Sequence, residues 1–211
     1  MAITPAMRQW FDEAGFKYHC FISYPHSGGQ MTDFAKRISE AIRDELATRI
    51  SNPSVFFDSE NIPPGAEWPI SLRLGLCTSI CMVAILAPVY LEADHDWCGR
   101  EWAAMASLGE LRLPNSEIQP IIPVFFRQTD LPRSAGARQP IDLSRVSLKG
   151  RRFYSTDEFR AAMLRIVDQI IAIARLIHEN QIRAAAEEFV MPDRSAFVQS
   201  PLPVPPLRAS T

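Results

Sequence analysis

The sequence predicts an α/β fold in which a mostly parallel five-stranded sheet carries helices on both faces. Segments with the pattern of strands alternate with segments of helical periodicity over roughly 150 residues, which is typical of consecutive βαβ units. The apolar run from Ile80 to Leu91 is nearly continuous, as expected for a strand buried on both faces of a parallel sheet. With 211 residues and 47% hydrophobic content, the chain is long enough for one domain with an ordinary core plus terminal extensions.

The first quarter of the chain predicts two strands with helices beside them. Residues 1–16 carry apolar side chains at helical spacing and predict a short amphipathic helix on the edge of the domain. Residues 18–24 are aromatic and β-branched, and they predict the first strand. The apolar positions of residues 31–50 recur at spacings of three and four, which predicts the first crossover helix. Residues 55–57 predict a second, short strand.

The next elements place a carboxylate at one edge of the sheet. Residues 58–69 contain three prolines and one glycine, and they predict a polar loop. Residues 68–77 predict a short helix that leads into the long apolar strand. Another helix is predicted from Asp96, its N-cap, with Trp97 and Glu101 four residues apart on one face. Glu101 then follows the carboxyl end of a central strand, where open α/β sheets bind their ligands.

The second half of the chain predicts two further strands. Residues 118–126 predict a strand near a sheet edge, because prolines at positions 120 and 123 cannot donate hydrogen bonds to a neighbouring strand. Residues 127–149 predict irregular chain. Residues 152–154 form a brief apolar stretch, which predicts the last edge strand.

A long helix and a proline-rich tail complete the chain. The helix is predicted to begin with Ser155 or Thr156 as its N-cap, followed by acidic residues in the first turn. Continued to Val190, it would be roughly 50 Å long at 1.5 Å per residue, longer than one small domain needs. We therefore expect its far end to contact a partner. The sequence beyond Met191 is rich in proline and is expected to be extended or disordered.

The composition argues against several classes of function. A net charge of -2 gives no overall attraction to nucleic acid or to an anionic membrane surface. The N-terminal sequence lacks the features of a signal peptide, and the longest apolar run is shorter than the ~20 residues that span a bilayer. The four cysteines lie in or beside apolar segments without the paired spacing of a zinc site, which indicates buried thiols in a reducing compartment. We therefore expect a cytoplasmic protein that contacts neither nucleic acid nor membrane.

Four segments together resemble the Toll/interleukin-1 receptor (TIR) domain family. In chain order they are Phe21-Ile22-Ser23-Tyr24, Val55-Phe56-Phe57-Asp58 with the following Ile62-Pro63-Pro64-Gly65-Ala66-Glu67-Trp68, the Ile80 strand, and Trp97-Cys98-Gly99-Arg100-Glu101. The resemblance covers approximately residues 17–175. It leaves an N-terminal amphipathic segment at residues 1–16 and, at residues 176–211, a helix extension with the proline-rich tail.

The resemblance implies a flavodoxin-like three-layer fold and one of two kinds of function. Some TIR domains are adaptors that signal by assembling with other TIR domains, and others cleave NAD+ between nicotinamide and ribose. In the enzymatic members the glutamate of a Trp-Cys-x-x-Glu-like motif is catalytic, and Glu101 corresponds to it. The resemblance thus implies an NAD+ hydrolase that needs no cofactor, with a linear or cyclised ADP-ribose product. The loop from Pro25 to Gly29 departs from the family, because it lacks the acidic residue that many relatives carry there.

A carboxylate suits this reaction. Cleavage passes through an oxocarbenium-like ribose, and nicotinamide leaves as a neutral molecule, so departure needs no strong general acid. A carboxylate near the ribose stabilises the developing positive charge. The alternative for Glu101 is a solvated side chain on a helix surface, the commonest environment of glutamate. The resemblance favours the catalytic interpretation.

Six other residues are candidates for substrate binding: Ser23, Tyr24, Asp58, Trp68, Trp97 and Cys98. Ser23 and Tyr24 follow the first strand, where they either meet the dinucleotide or pack the strand end. Asp58 is expected to cap or orient the loop that it begins. The two tryptophans either line the pocket or pack their helices on the domain. Cys98 has no identifiable partner histidine, which favours a buried thiol over a nucleophile.

Other chemistries fit the sequence less well. Asp94, His95 and Asp96 are adjacent, and adjacent residues seldom converge on one metal ion, so no metal is expected. The chain has no Gly-x-Ser-x-Gly elbow for a catalytic serine. Gly28 and Gly29 follow a strand but lack the surrounding pattern of a phosphate-binding loop.

The resemblance leaves two alternatives to an NAD+ hydrolase. One is a non-enzymatic interaction module that assembles with other TIR domains through residues 58–69 and the last helix. The other is a related enzyme that acts on a nucleoside or another nucleotide through the same carboxylate. In the enzymatic interpretation, a homo-oligomer formed through TIR contacts orders residues 58–69 and activates the site, in bacterial antiviral defence or signalling. Residues 176–211 are expected to contact a protein partner.

Overall fold

A parallel sheet forms the centre of the domain. The computed structural model describes residues 5–92, 96–114, 116–129, 139–184 and 189–193. Its sheet has five parallel strands in the order β2-β1-β3-β4-β5. They are β1 (Tyr18–Ser23), β2 (Val55–Phe56), β3 (Ser79–Leu86), β4 (Ile121–Phe125) and β5 (Ile141–Asp142). This strand order is that of a flavodoxin-like α/β fold, so the predicted fold class is confirmed.

Helices cover both faces of this sheet. Those within the described residues are α1 (Pro5–Glu13), α2 (Gly29–Ala47), α3 (Asp58–Asn61), α4 (Trp68–Cys77), α5 (Asp96–Arg112) and α6 (Asp157–Glu179). One core contains the buried faces of α2 and α6, and a second core contains those of α4 and α5. Two segments of 3-10 helix, Pro88–Leu91 and Val146–Ser155, add to these elements. The result is a three-layer arrangement with the sheet in the middle.

Strand residues contribute alternately to the two cores. Cys20 and Ile22 of β1 belong to the core on the α2 side, whereas Phe21 belongs to the core on the α4 side. The alternation arises because successive side chains of a strand point to opposite faces of the sheet. All eight residues of β3 are buried, since both faces of this strand are covered. Its near-continuous apolar sequence follows from this double burial.

The sequence wrongly predicts the position of the last strand. Residues 152–154 belong to the 3-10 segment Val146–Ser155, and the edge strand is β5, inside the stretch expected to be irregular. β5 is only two residues long, too short to show a periodic pattern. β4 is the neighbour of this edge strand, in agreement with a position near the sheet edge. The predicted loop at residues 58–69 contains the one-turn helix α3, and α4 begins at Trp68.

The last helix begins at the predicted position and ends well before Val190, the limit considered from the sequence. Thr156 is its N-cap, and its hydroxyl accepts a hydrogen bond from the backbone N–H of Phe159 at 3.2 Å. The helix ends at Glu179 because Gln181 adopts a positive φ of 53°. The N–H of Ile182 then bonds to the carbonyl of residue 177 at 3.1 Å, as in a Schellman motif. The helix therefore does not continue to Val190.

Two further expectations concern the surroundings of the chain. Among the described residues, no helix combines the length and the apolar character that crossing a membrane requires. The four cysteines, Cys20, Cys77, Cys81 and Cys98, are buried free thiols, in agreement with the interpretation as small apolar side chains. Of the proline-rich tail beyond Met191, only residues 192 and 193 lie within the described residues.

Candidate active site

Glu101 lies at the carboxyl edge of the sheet, in the second turn of α5. Within the described residues, this helix begins at Asp96. The turn of helix faces the ends of β1 and β3, and the Glu101 side chain points inward, with 6% of the residue exposed. A solvated glutamate on the helix surface is thus not what the fold produces. A carboxyl group buried to this degree needs specific partners.

A chain of three hydroxyl and carboxyl groups ends at Glu101. Ser23, the last residue of β1, donates a hydrogen bond from Oγ to Glu101 Oε2 at 2.6 Å. The Tyr90 hydroxyl lies 2.7 Å from the same Oγ. Because the one hydroxyl hydrogen of Ser23 goes to Glu101, the Tyr90 hydroxyl donates to Ser23. Both hydroxyls are buried, so the chain fixes one orientation of the carboxyl group.

Burial changes the ionisation of this carboxyl group. Loss of solvent raises the pKa of Glu101 from 4.5 to about 8. The hydrogen bond from Ser23 and the charge of His26 act in the opposite direction, and the nearby carboxylate of Asp58 adds to the increase in this pKa. At neutral pH most molecules of the free protein therefore hold a proton on Glu101.

Asp58 is the centre of a second cluster at the same edge. Asp58 begins α3, two residues after the last residue of β2, and is 7% exposed. Its Oδ1 accepts hydrogen bonds from the Tyr24 hydroxyl at 3.0 Å and from the backbone N–H of Ser59 at 2.7 Å. Its Oδ2 lies 2.8 Å from Nε2 of His26. Asp58 thereby ties the loop after β1 to the turn after β2, as expected of a residue that orients this loop.

His26 lies beside Asp58 at the edge of the site. The hydrogen bond to Asp58, aided by the charge of that carboxylate, raises the pKa of His26. Burial alone would raise the pKa of Asp58, but the bonds to His26, Ser59 and Tyr24 lower it overall. The imidazole ring stacks on Tyr24 at 4.7 Å between ring centroids, and its side chain is 57% exposed. The cluster thus joins a buried carboxyl group to an imidazole that faces solvent.

The predicted site residues divide into two groups. Ser23, Tyr24, Asp58 and Glu101 meet at the carboxyl edge, connected directly or through mutual electrostatic interaction. Trp68 and Trp97 instead contact each other edge to face, with centroids 4.7 Å apart, and the Arg100 guanidinium lies 4.2 Å from the centroid of Trp97. Both tryptophans border the core under α4 and α5, so packing is the interpretation that the structure favours.

Cys98 is a buried thiol, and the structure gives it no features of a nucleophile. Burial, followed by the charge of Glu101, raises the pKa of Cys98 well above its usual value. A thiol in this environment stays protonated and unreactive. Its nearness to Glu101 and Asp58 makes it part of the wall behind the carboxyl group.

Sequence reasoning missed His26 and Tyr90. His26 lies in the loop Pro25 to Gly29, which was considered from the sequence only for its missing acidic residue and for its two glycines. Tyr90 comes at the end of the apolar run that predicts β3. The one available signal was their position just after β1 and β3, since the carboxyl ends of parallel strands share one edge. Their partners lie too far away in sequence for any spacing rule: Tyr90 is 67 residues from Ser23.

Within the residues that the structure describes, no three histidine, cysteine, aspartate or glutamate side chains group as metal ligands do. Asp94 and His95, two of the three adjacent residues considered as metal ligands, lie outside the described residues.

The family model of the TIR domain matches residues 20–161, more than half of the chain. The chain belongs to the TIR domain family. The match includes every residue of the site, from Ser23 to Glu101. No curated protein matches the chain. Among solved structures, the TIR domains of the activated Roq1 resistosome, which directly recognizes the pathogen effector XopQ, match with a TM-score of 0.40 and 15% identity, over 78% of this chain and 84% of that one. A likeness of this size carries no argument about function.

Proposed function

We propose that this TIR domain hydrolyses NAD+ at the bond between nicotinamide and ribose, with Glu101 as its catalytic carboxylate. The observation that carries the proposal is the buried Glu101 carboxyl group, held by Ser23 at 2.6 Å. A pKa raised to about 8 costs folding stability, and carboxyl groups perturbed in this way at a ligand-binding edge are typical of active sites. A module that only binds other TIR domains has no chemical need for such a group.

The cationic substrate and the protonated carboxyl group fit one reaction sequence. The nicotinamide ring of NAD+ is positively charged, and its approach favours the ionised form of Glu101, so binding releases the proton. As the glycosidic bond breaks, its electron pair goes to the nicotinamide nitrogen and nicotinamide departs neutral. The Glu101 carboxylate stabilises the positive charge left on the ribose. Water then adds to the anomeric carbon and loses a proton, which gives ADP-ribose.

The neighbouring residues position this carboxylate and the substrate. Ser23 and Tyr90 fix its orientation, since their hydroxyls form a chain that ends on Oε2. Tyr24 and Asp58 hold the two loops that border the site, and we propose that they contact the dinucleotide through these loops. Trp68 and Trp97 pack against each other edge to face and support α4 and α5.

The setting of the reaction is also proposed, from the family resemblance and from the free thiols. Four unpaired buried cysteines suit the reducing cytoplasm. Self-assembly through TIR contacts, or a partner bound by residues 176–211, would activate the enzyme by ordering the turn that begins at Asp58. Loss of NAD+ in an infected bacterium is the defence function that the resemblance suggests.

The experiment compares NAD+ consumption by the wild-type chain, Glu101→Gln and Glu110→Gln at high protein concentration, with products identified by mass spectrometry. Glu110 lies on the same helix and is exposed, so its variant is the matched control. We expect nicotinamide release by wild type and by Glu110→Gln, and a loss of at least about 100-fold in Glu101→Gln. The masses of the products separate linear from cyclic ADP-ribose.

Other outcomes decide between the remaining functions. Equal activity of wild type and Glu101→Gln shows that another group is catalytic and refutes the assignment. Release of bases from free nucleosides but not from NAD+ identifies the related nucleosidase. Inactivity of all three proteins, even when clustered on a surface at high density, supports the interaction module.

A further inference from the structure

A segment near the C terminus lies across α4 and α5. We call residues 189–193 the C-terminal strap. Its first carbonyl, of Phe189, accepts a hydrogen bond from Nη1 of Arg73 on α4 at 3.1 Å. Near its other end, the carbonyl of Pro192 accepts a hydrogen bond from Nε of Arg100 on α5 at 3.1 Å. The strap therefore connects the two helices through its backbone.

Its side chains alternate between the domain and the solvent. Phe189 and Met191 are partly buried and pack against the core under α4 and α5. Val190, between them, is 81% exposed. This alternation is that of an extended peptide lying on a surface, with every second side chain inserted. Backbone carbonyls caught by fixed donors and two apolar anchors are the features of a peptide-recognition site.

The surface under the strap is preorganised. The Arg100 guanidinium stacks over Trp97 and forms an ion pair with Asp96 at 3.9 Å, so its position is set by contacts other than the strap. Trp97 in turn meets Trp68 at the start of α4. A donor held in this way loses little freedom when a carbonyl binds to it.

We propose that the face of α4 and α5 is a docking surface for an extended peptide, and that the C-terminal strap is its built-in, reversible ligand. The strap is short, and only two of its side chains insert, so the gain from burial is close to the cost of ordering its backbone. The strap thus exchanges between a seated and a released state. Release exposes the two arginines and the apolar border beside Trp68 and Trp97.

The proposal does not depend on NAD+ hydrolysis. Its test uses the full-length chain and a fluorescent synthetic peptide with the sequence of residues 187–195. The double variant Phe189→Ala/Met191→Ala releases the strap, and Val190→Ala is the matched control because this side chain faces solvent. We expect the peptide to bind the double variant about tenfold more tightly than wild type, as for a strap seated roughly nine times in ten. Val190→Ala should bind like wild type.

Arg73→Ala, added to the double variant, should weaken peptide binding because it removes the donor to the first carbonyl. If circular dichroism shows that the double variant is unfolded, Arg73→Ala alone replaces it, and faster proteolytic cleavage within the strap is the expected result, because a released segment is accessible to a protease. The proposal is overturned if the folded double variant binds the peptide no more tightly than wild type, or if Arg73→Ala leaves cleavage of the strap unchanged.

Discussion

Replacing Glu101 by glutamine should stabilise the domain, and by more as the pH rises. The folded protein binds a proton on this carboxyl group up to about pH 8, whereas the unfolded chain releases it near pH 4.5. Between these values the native state holds more protons than the unfolded state, so the stability of wild type falls with increasing pH. The stability that this bound proton contributes is fully present below pH 4.5 and is lost as the pH rises through about 8. Glutamine stays neutral throughout and does not show this loss.

The size of the effect follows from the two pKa values. The difference between 4.5 and about 8, at roughly 1.4 kcal/mol per unit, amounts to about 5 kcal/mol above pH 8. Between about pH 5 and about pH 7, the free energy of unfolding of wild type should fall by about 2–3 kcal/mol relative to that of the variant.

Urea unfolding of both proteins at a series of pH values measures this difference. Glu110→Gln, on the exposed face of the same helix, should follow wild type at every pH. Equal stabilities of Glu101→Gln and wild type from low to high pH would refute the reasoning, because they would mean that burial leaves the ionisation of Glu101 unchanged. If wild type instead gained stability relative to the variant as the pH rises, the predicted effect would have the wrong sign.

Three further predictions concern the same domain. The kcat/KM for NAD+ should rise with pH and level off near pH 8, where Glu101 of the free enzyme ionises; a flat profile contradicts the role of its carboxylate. Ser23→Ala removes the hydroxyl that donates to Glu101, so the pH profile of kcat/KM should move to higher pH. Urea unfolding above pH 8 should show that this variant loses about 1–3 kcal/mol of unfolding free energy. Gly75→Ala would place a methyl group 2.7 Å from the Phe56 ring and should destabilise the domain by about 1–3 kcal/mol in thermal unfolding, whereas a free energy equal to that of wild type would show that the ring moves aside at no cost.

The elements with strong local patterns could be predicted from the sequence. The uninterrupted apolar residues of β3 and the regular apolar spacing of α2 and α6 record burial directly. The position of Glu101 followed from these elements, since a helix after a central parallel strand starts at the ligand-binding edge. Local periodicity and one rule of sheet topology were sufficient for this part of the site.

The remaining errors have a common physical origin in contacts between distant parts of the chain. β5 is a strand only because Ile141 lies beside Val124, and its own sequence shows no pattern. Beyond the end of α6, the N–H of Ala184 bonds to the carbonyl of Ala14 at 2.9 Å, and this contact with a distant part of the chain holds the segment that leaves the helix. The pair of His26 and Asp58 likewise forms only when two loops meet at the sheet edge. Such contacts cannot be recognised from the secondary-structure propensities of the local sequence.

The strand order has a consequence for synthesis on the ribosome. Ser23, Asp58, Tyr90 and Glu101 all come from the first half of the chain, whereas α6 is made later and covers the opposite face of β1 and β3. A nascent chain can therefore contain every residue of the site while the apolar sheet face that α6 later covers is still exposed to solvent. Domains tend to fold as units once their sequence has emerged. Docking of α6 is thus the step that closes the core and completes the domain.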